Sequence, residues 1–151
     1  MTKEQMAAHI ERLCLEHGIA VEGHASGGRA YKKERRIKIR PVRSDKTYAI
    51  GLHEIGHVLG PWQSMPSLFC EAGAWRWACE NAQQWTPMMR VTMIEGLLSY
   101  LEWALHRQHR RNGRPRIPEA NHTFWELVEK SKTEACEDFG FLVRRGKYIR
   151  I

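Results

Sequence analysis

The spacing of apolar residues changes along the first part of the chain from a helical period to a strand period. Residues 3–17 place Met6, Ile10 and Leu13 three or four positions apart, with charged residues between them, which is typical of an amphipathic helix. Gly18 ends that pattern. The segments 19–25, 29–33 and 36–42 instead read as short strands, the first two separated by a Ser-Gly-Gly turn. An N-terminal helix followed by a small sheet of about three strands is therefore predicted.

The helical period returns beyond the third strand and indicates two helices joined by a loop. Ser44 or Asp45 can cap the first of these helices, and Gly60 ends it. The proline-containing loop 61–67 is long enough to reverse the chain, and Ser67 can cap the second helix. Small residues recur every four positions along the second helix, which allows two helices to come close together. These small residues are Ala74, Ala78 and Ala82.

The remainder of the chain is again dominated by helical spacing. It predicts a helix over 88–111, a further helix from Glu119 or Asn121 to Phe139, and a short β-hairpin at the C-terminal end. A length of 151 residues corresponds to one domain. We therefore predict a single α+β domain over 1–151, with its core in 1–85 and a helical part in 86–151.

The sequence His-Glu-Ile-Gly-His at positions 53–57 carries the clearest chemistry. Residues four positions apart lie on the same side of a helix, so His53 and His57 can present two imidazole nitrogens to one metal ion. Glu54 is placed to hold and deprotonate a water molecule on the metal rather than to bind the metal itself. The alternative is a pair of solvent-facing histidines on an ordinary helix. The capped and terminated helix around them favours the zinc interpretation.

A catalytic zinc ion normally takes three protein ligands, and Glu71 is the candidate for the third. It follows His57 by fourteen residues, and the intervening loop brings its helix back alongside the histidines. The alternative interpretation is a glutamate that the helix dipole favours in the first turn of a helix. Weaker candidates for the third ligand are Glu80, His106 and His109.

The segment 37–82 resembles the ImmA/IrrE-type metallopeptidases, which are compact gluzincin-like zincin domains frequent in phages and mobile elements. They join a strand, an HExxH helix with a reversal, and a helix opening with Glu-x-x-Ala-x-x-aromatic-Ala, whose counterparts are Glu71, Ala74, Trp77 and Ala78. The resemblance implies that Glu71 completes a site for one zinc ion with the two histidines, and that Glu54 is the general base. The chain departs from the pattern at Trp75, where the family often has Asn or Asp to orient a ligand.

Composition and cysteine usage are typical of a globular intracellular protein. Apolar residues make up 42% of the chain, and no apolar run is long enough to cross a membrane. The N-terminus lacks the apolar stretch of a secretory signal. The four cysteines form no CxxC pair and are interpreted as reduced. We therefore expect a cytoplasmic protein without a membrane partner.

The net charge of +7 is concentrated in two groups of cations. One group precedes the histidine helix and consists of Arg29, Lys32, Lys33, Arg35, Arg36, Lys38, Arg40 and Arg43. The other consists of Arg107, Arg110, Arg111, Arg114 and Arg116. Such groups can bind nucleic acid or a DNA-associated protein, or can serve solubility and helix C-termini. A further alternative is that the strand carrying Lys38 and Arg40 pairs with an extended substrate and selects acidic side chains.

These features predict a zinc metallopeptidase that hydrolyses an intracellular protein substrate such as a DNA-associated regulator. Candidates for the group that stabilises the oxyanion are Tyr48, Tyr100, His106 and His109. The alternative is a binding or regulatory module that keeps the zincin frame but cleaves poorly and acts through its basic patches. Hydrolysis of a non-peptide amide or ester is a third alternative, because the motif does not specify the substrate.

Overall fold

The computed structural model describes residues 1–24, 26–111 and 125–127, which contain four longer helices, a helical stretch at 125–127 and three strands. The order of elements confirms an α+β fold with an N-terminal helix and a small sheet. The predicted terminal hairpin, and all but 125–127 of the predicted helix before it, lie outside the described residues. The elements are α1 (Lys3–Glu16), β1 (Ala20–Gly23), β2 (Gly28–Tyr31), β3 (Arg36–Ile39), α2 (Asp45–Leu59), α3 (Ser67–Asn81) and α4 (Pro87–Arg111).

Polar caps fix the starts of two helices, and a proline starts a third. Thr2 accepts a hydrogen bond from the Gln5 backbone at α1, and Ser44 accepts one from the Thr47 backbone at α2. The prediction that Ser67 caps α3 is wrong, because Ser67 is the first helical residue and Pro66 stands at the cap without a side-chain bond. The proline ring already holds φ near the helical value, so the helix begins there without a polar cap.

The sheet has the order β1-β3-β2, so β3 lies in its centre. β3 runs parallel to β1 and antiparallel to β2, and its Ile37 and Ile39 are buried against the helices. The prediction that the strand of Lys38 pairs with a substrate is therefore wrong, since both edges of β3 are already paired. Among the described residues, β1 and β2 each keep one unpaired edge, and β2 also contacts α2.

The helices α2 and α3 approach each other at glycine positions, and this contact sets the frame of the site. A Cβ atom at Gly56 would lie 2.9 Å from both the carbonyl carbon and the Cα of Ala74. Ala74 and Ala78 are fully buried, so the prediction of a close helix contact from the small residues is confirmed. Trp75 of α3 packs in turn against Gly96 of α4. Gly56 therefore permits backbone contact between the helices that carry the candidate ligands.

Three of the four cysteines lie in the described part of the chain. Cys14, Cys70 and Cys79 are free thiols, and Cys136 lies outside the described residues. No described helix combines the length and the apolar character that crossing a membrane requires.

Candidate metal centre

Three side chains from two helices converge at one point of the structure. His53 and His57 lie one turn apart on α2, and Glu71 is the fifth residue of α3. Nε2 of His53 is 2.8 Å from Oε2 of Glu71, and Nε2 of His57 is 3.1 Å from its Oε1. Their ligand atoms all lie within 4.8 Å of one another. The sequence predicted these three residues as a set, and the structure brings them together.

The chemistry and spacing of this set fit a catalytic zinc ion. Tetrahedral zinc with bonds of about 2.0–2.1 Å places neighbouring ligand atoms roughly 3.3 Å apart. The separation between His57 and Glu71 is close to that value, and the shorter separation between His53 and Glu71 is that of a direct hydrogen bond. Glu71 is only 4% exposed, and a carboxylate buried to that degree needs a cation or several hydrogen bonds. It also lies beyond the first turn of α3, where the helix dipole alone would favour a glutamate.

Gln63 orients the second histidine, although no sequence pattern pointed to it. Its side-chain amide donates to the carbonyls of Pro61 at 3.0 Å and Cys70 at 2.8 Å. The amide oxygen consequently faces Nδ1 of His57 at 2.9 Å and accepts its proton. Nε2 of His57 then presents a lone pair toward the Glu71 carboxylate. The lone pair on Nε2 of His57 and the carboxylate of Glu71 are both acceptors. A cation between them, either a metal ion or a proton, stabilises this arrangement.

Trp75 holds the first histidine by stacking. The rings of Trp75 and His53 lie 4.1 Å apart between centroids with an interplanar angle of 17°. Trp75 is 2% exposed, and its Nε1 has no hydrogen-bond partner. The ImmA/IrrE-type pattern often has Asn or Asp at this position. An aromatic face here restricts the plane of His53 without a hydrogen bond.

The carboxylates and the histidines shift each other's proton affinities. Burial alone would lower the pKa of His53, but hydrogen bonds to Glu54 and Glu71 and their charges outweigh it and raise the pKa to about 9. Burial alone would raise the pKa of Glu71, but hydrogen bonds to the two histidines and their charges lower it to about 2. At neutral pH the metal-free cluster therefore holds a proton on His53, which a metal ion has to displace.

Glu54 lies beside the cluster and beneath the edge strand. Its Oε1 is 3.5 Å from Nδ1 of His53, and the residue is 6% exposed. A Cβ atom at Gly28 of β2 would lie 2.7 Å from both Cγ and Oε1 of Glu54. Glycine at this position therefore lets the strand backbone pass directly over the carboxylate that the sequence predicted as general base.

A cavity of about 330 Å³ opens at the cluster, and Tyr100 is the phenol that lines it. The charge of Glu71, followed by burial, raises the pKa of Tyr100 to about 12, so its hydroxyl remains a hydrogen-bond donor at neutral pH. Tyr48, the other predicted tyrosine, is fully buried, and its hydroxyl is 2.6 Å from Nδ1 of His9. Tyr100 is thus the tyrosine whose hydroxyl can reach a substrate.

The weaker candidate ligands are not part of the described cluster. Glu80 is exposed and forms an ion pair with Arg76 at 2.9 Å. The side chains of His106 and His109 lie outside the described residues. The third ligand that the described geometry supports is therefore Glu71.

Comparisons with known proteins identified no relative of this chain. No family model, no curated protein and no solved structure matches the chain. The resemblance to the ImmA/IrrE-type metallopeptidases remains a prediction carried by the residues quoted for it. The functional conclusion consequently depends on the geometry of His53, Glu54, His57 and Glu71.

Proposed function

We propose that the protein is a zinc-dependent metallopeptidase that binds one zinc ion through His53, His57 and Glu71. The observation that carries the proposal is the convergence of these ligand atoms, within 4.8 Å of one another, at a cavity that Glu54 also lines. An ion held only for structure is normally bound by four protein side chains, whereas three ligands beside a cavity leave a position for water. The proposed substrate is an intracellular protein, such as a DNA-associated regulator.

The chain's own residues account for the proton transfers of peptide hydrolysis. Zinc at this site, when bound, lowers the pKa of a water molecule to about 7 and polarises the peptide carbonyl. Glu54 removes the proton from the attacking water and delivers it to the leaving amine. Burial beneath the backbone of Gly28 limits the positions that the Glu54 carboxylate can adopt. Glu54 does not need to bind the metal to perform either transfer.

Tyr100 is proposed to stabilise the negative charge that develops on the carbonyl oxygen. It lines the same cavity as Glu54 and the three ligands, and its hydroxyl is protonated at neutral pH. A preorganised donor of this kind contributes about 2.7–4 kcal/mol of transition-state stabilisation in enzymes where it has been removed. Since Tyr100 projects from α4, the helical part of the chain contributes to the site as well as covering the core.

The test combines metal content with hydrolysis of a peptide library read by mass spectrometry. We expect about one zinc ion per chain in the wild type, loss of zinc in Glu71→Ala and His57→Ala, and cleavage by the wild type. Glu54→Gln should keep its zinc and lose cleavage, because the amide cannot accept the proton. Glu80→Gln is the matched control, since Glu80 is exposed and paired with Arg76, and it should retain both properties.

Two results would contradict the proposal in different ways. A wild-type protein that binds no zinc even when zinc is added would remove the metal site. A zinc-loaded wild type that cleaves no peptide would favour the alternative, a zincin-frame binding module whose function is insensitive to Glu54→Gln.

A further inference from the structure

A second cavity lies between α1 and the segment that joins α3 to α4. It has a volume of about 310 Å³, and no described residue lines both this cavity and the metal cavity. The residues that line it are Met1, Gln5, Ala8, His9, Arg12 and Gln83. Positions 5, 8, 9 and 12 belong to one face of α1, because residues three, four and seven positions apart stack on the same side of a helix. One face of α1 therefore presents three polar side chains to the cavity, with the small Ala8 between them.

His9 is the buried group of this cavity, and its hydrogen bond to Tyr48 fixes which ring nitrogen carries the hydrogen. The residue is 6% exposed, and its Nδ1 lies 2.6 Å from the hydroxyl oxygen of Tyr48. That oxygen accepts the backbone N–H of Gln83 at 3.2 Å, which leaves its own proton for Nδ1. Burial raises the pKa of Tyr48, so this proton is present at neutral pH. Tyr48 consequently donates to Nδ1, and the neutral imidazole carries its hydrogen on Nε2.

The Nε2–H group of His9 is a donor that the fold leaves unused. Burial, and after it the charge of Arg12, lower the pKa of His9, so the ring is neutral at neutral pH. No described residue accepts a hydrogen bond from Nε2. In the described part of the chain, the polar side-chain atom that is sealed from solvent without a partner is Nε1 of Trp75 and not Nε2 of His9. The Nε2–H group therefore has access to the cavity that His9 lines.

The neighbouring polar side chains are donors as well. The side-chain oxygen of Gln5 accepts the backbone N–H of Thr2 at 2.8 Å, which leaves the NH₂ group of Gln5 for a ligand. The guanidinium group of Arg12 is about half exposed and lies 3.8 Å from Glu16, beyond hydrogen-bond distance. None of the described residues that line this cavity is Asp or Glu. A cationic fork, a buried N–H and an amide without an opposing carboxylate suit a ligand that accepts hydrogen bonds and carries negative charge.

We propose that this cavity binds a small organic anion, whose carboxylate or phosphate group accepts hydrogen bonds from Nε2 of His9, the guanidinium of Arg12 and the side-chain amide of Gln5. The volume of the cavity lies at the lower end of the range that holds small ligands. Ala8 and the side chain of Met1 supply apolar contacts for the remainder of the molecule. The site is independent of the proposed peptidase function, since no described residue belongs to both cavities.

The test is a titration of the wild-type protein followed by ¹H–¹⁵N NMR, with three probes that share an aromatic ring. Benzoate carries a carboxylate, phenyl phosphate carries a phosphate, and benzamide is neutral. We expect one or both anions to give saturable shifts of the Gln83 and Ala8 backbone amides and of the Nε2–H group of His9. Benzamide should bind about fivefold more weakly or less well still. The anion that binds more tightly identifies the carboxylate or the phosphate as the preferred group.

Variants of Arg12 separate a local contact from the net charge. Arg12→Gln should weaken binding of the preferred anion about fivefold, as expected for an exposed ion pair. Lys3→Gln is the matched control and should leave binding unchanged. Lys3 is also exposed on α1, also lies 3.8 Å from a glutamate, and does not line the cavity. Equal weakening in the two variants would overturn the proposal, since it would show a response to net charge alone.

Variants of His9 test the buried donor. Glutamine and methionine are both unbranched, but only glutamine supplies an N–H group near the position of Nε2. His9→Gln should therefore retain binding, and His9→Met should weaken it about tenfold. Equal binding by these two variants would contradict the role of the buried donor. A wild-type spectrum in which neutral His9 carries its hydrogen on Nδ1 would contradict it as well, and this measurement requires no variant to fold.

Three further results of the titration would overturn the proposal. The first is the absence of saturable shifts with either anion at concentrations up to about 50 mM. The second is shifts confined to residues of the metal cavity, such as Ala30, which would place the anion at the metal centre. The third is equal affinity for benzoate and benzamide, which would show an apolar cleft without preference for charge. None of these results would change the zinc content or the cleavage expected for the proposed peptidase.

Discussion

Gly56→Ala tests whether the contact between α2 and α3 determines both the stability of the fold and the metal site. The added Cβ atom would lie 2.9 Å from the Cα and the carbonyl carbon of Ala74, and closer still to its oxygen. Carbon atoms in contact normally stay about 3.5–4.0 Å apart. The helices therefore have to separate by about 0.6 Å or more, because both sides of the contact are backbone and neither can rotate away.

The expected magnitude follows from two opposing effects. Replacing glycine by alanine inside a helix stabilises by about 1 kcal/mol through helix propensity. Overpacking of a close contact costs about 1–3 kcal/mol, and more when backbone is involved. We expect the cost to exceed the gain, so that the free energy of unfolding of Gly56→Ala falls by about 1–2 kcal/mol.

Gly51→Ala is the matched control on the same helix. Its Cβ atom would lie 3.1 Å from Cδ1 of Ile10, which is the end of a flexible side chain, and further from every other atom. A small rotation of Ile10 relieves that contact, so the propensity gain of up to about 1 kcal/mol should dominate. The two variants therefore have opposite expected signs for the same chemical change.

The assay is urea unfolding of both variants in the presence of a chelator, followed by zinc titration of the folded proteins. The chelator keeps zinc binding from adding to the measured stability. Because Glu71 lies three residues before Ala74 on α3, a shift of about 0.6 Å exceeds the tolerance of about 0.2 Å for metal–ligand distances. Zinc affinity of Gly56→Ala should fall about tenfold or more, and that of Gly51→Ala should not change. Equal stability and equal zinc affinity in the two variants would refute the reasoning.

Two further predictions concern the chemistry of the site. Tyr100→Phe should keep zinc bound and lower kcat about a hundredfold with little change in KM, because only the hydroxyl that stabilises the oxyanion is removed; an unchanged kcat for a peptide that the wild type cleaves would assign that role elsewhere. In metal-free protein, the pKa of His53 is raised from 6.5 to about 9, so its stabilising interaction is complete below pH 6.5 and is lost as the pH rises through 9. The pKa of Glu71 is lowered from 4.5 to about 2, so its contribution is present above pH 4.5 and is lost as the pH falls through 2. Chemical unfolding measured from pH 2 to pH 9 should show the highest free energy of unfolding between pH 4.5 and pH 6.5. The variant His53→Gln should abolish the fall in this free energy on the alkaline side.

The local sequence was sufficient to predict the elements whose stabilising interactions join residues only a few positions apart. The four-residue spacing of His53 and His57, with a cap at Ser44 and a stop at Gly60, predicted the helix and the face that carries the two imidazoles. Hydrogen bonds and side-chain periods inside one helix depend on near neighbours only, so a single segment specifies them. The alternation in 36–42 likewise identified the strand that becomes β3.

Residues that depend on contacts between distant elements were not predictable in the same way. The order β1-β3-β2, which makes β2 rather than β3 the edge strand, depends on how three strands pair across separate turns. Gln63 lies in a loop without a pattern, and its role appears only when its amide meets His57. The choice between Tyr48 and Tyr100 was also left to packing, since an aromatic residue on a helix has the same local signal whether it faces the core or a cavity.

The sequence by itself determined the chemistry of this protein, namely two histidines and a glutamate on one helix with a second glutamate nearby in the chain. The tertiary structure decided which groups surround these four residues. The close contact at Gly56 brings Glu71 to the histidines, the stacking of Trp75 fixes His53, and the backbone of β2 passes over the Glu54 carboxylate. The physical reason is that helical spacing is a property of the backbone, whereas contacts between elements depend on the packing of the whole domain.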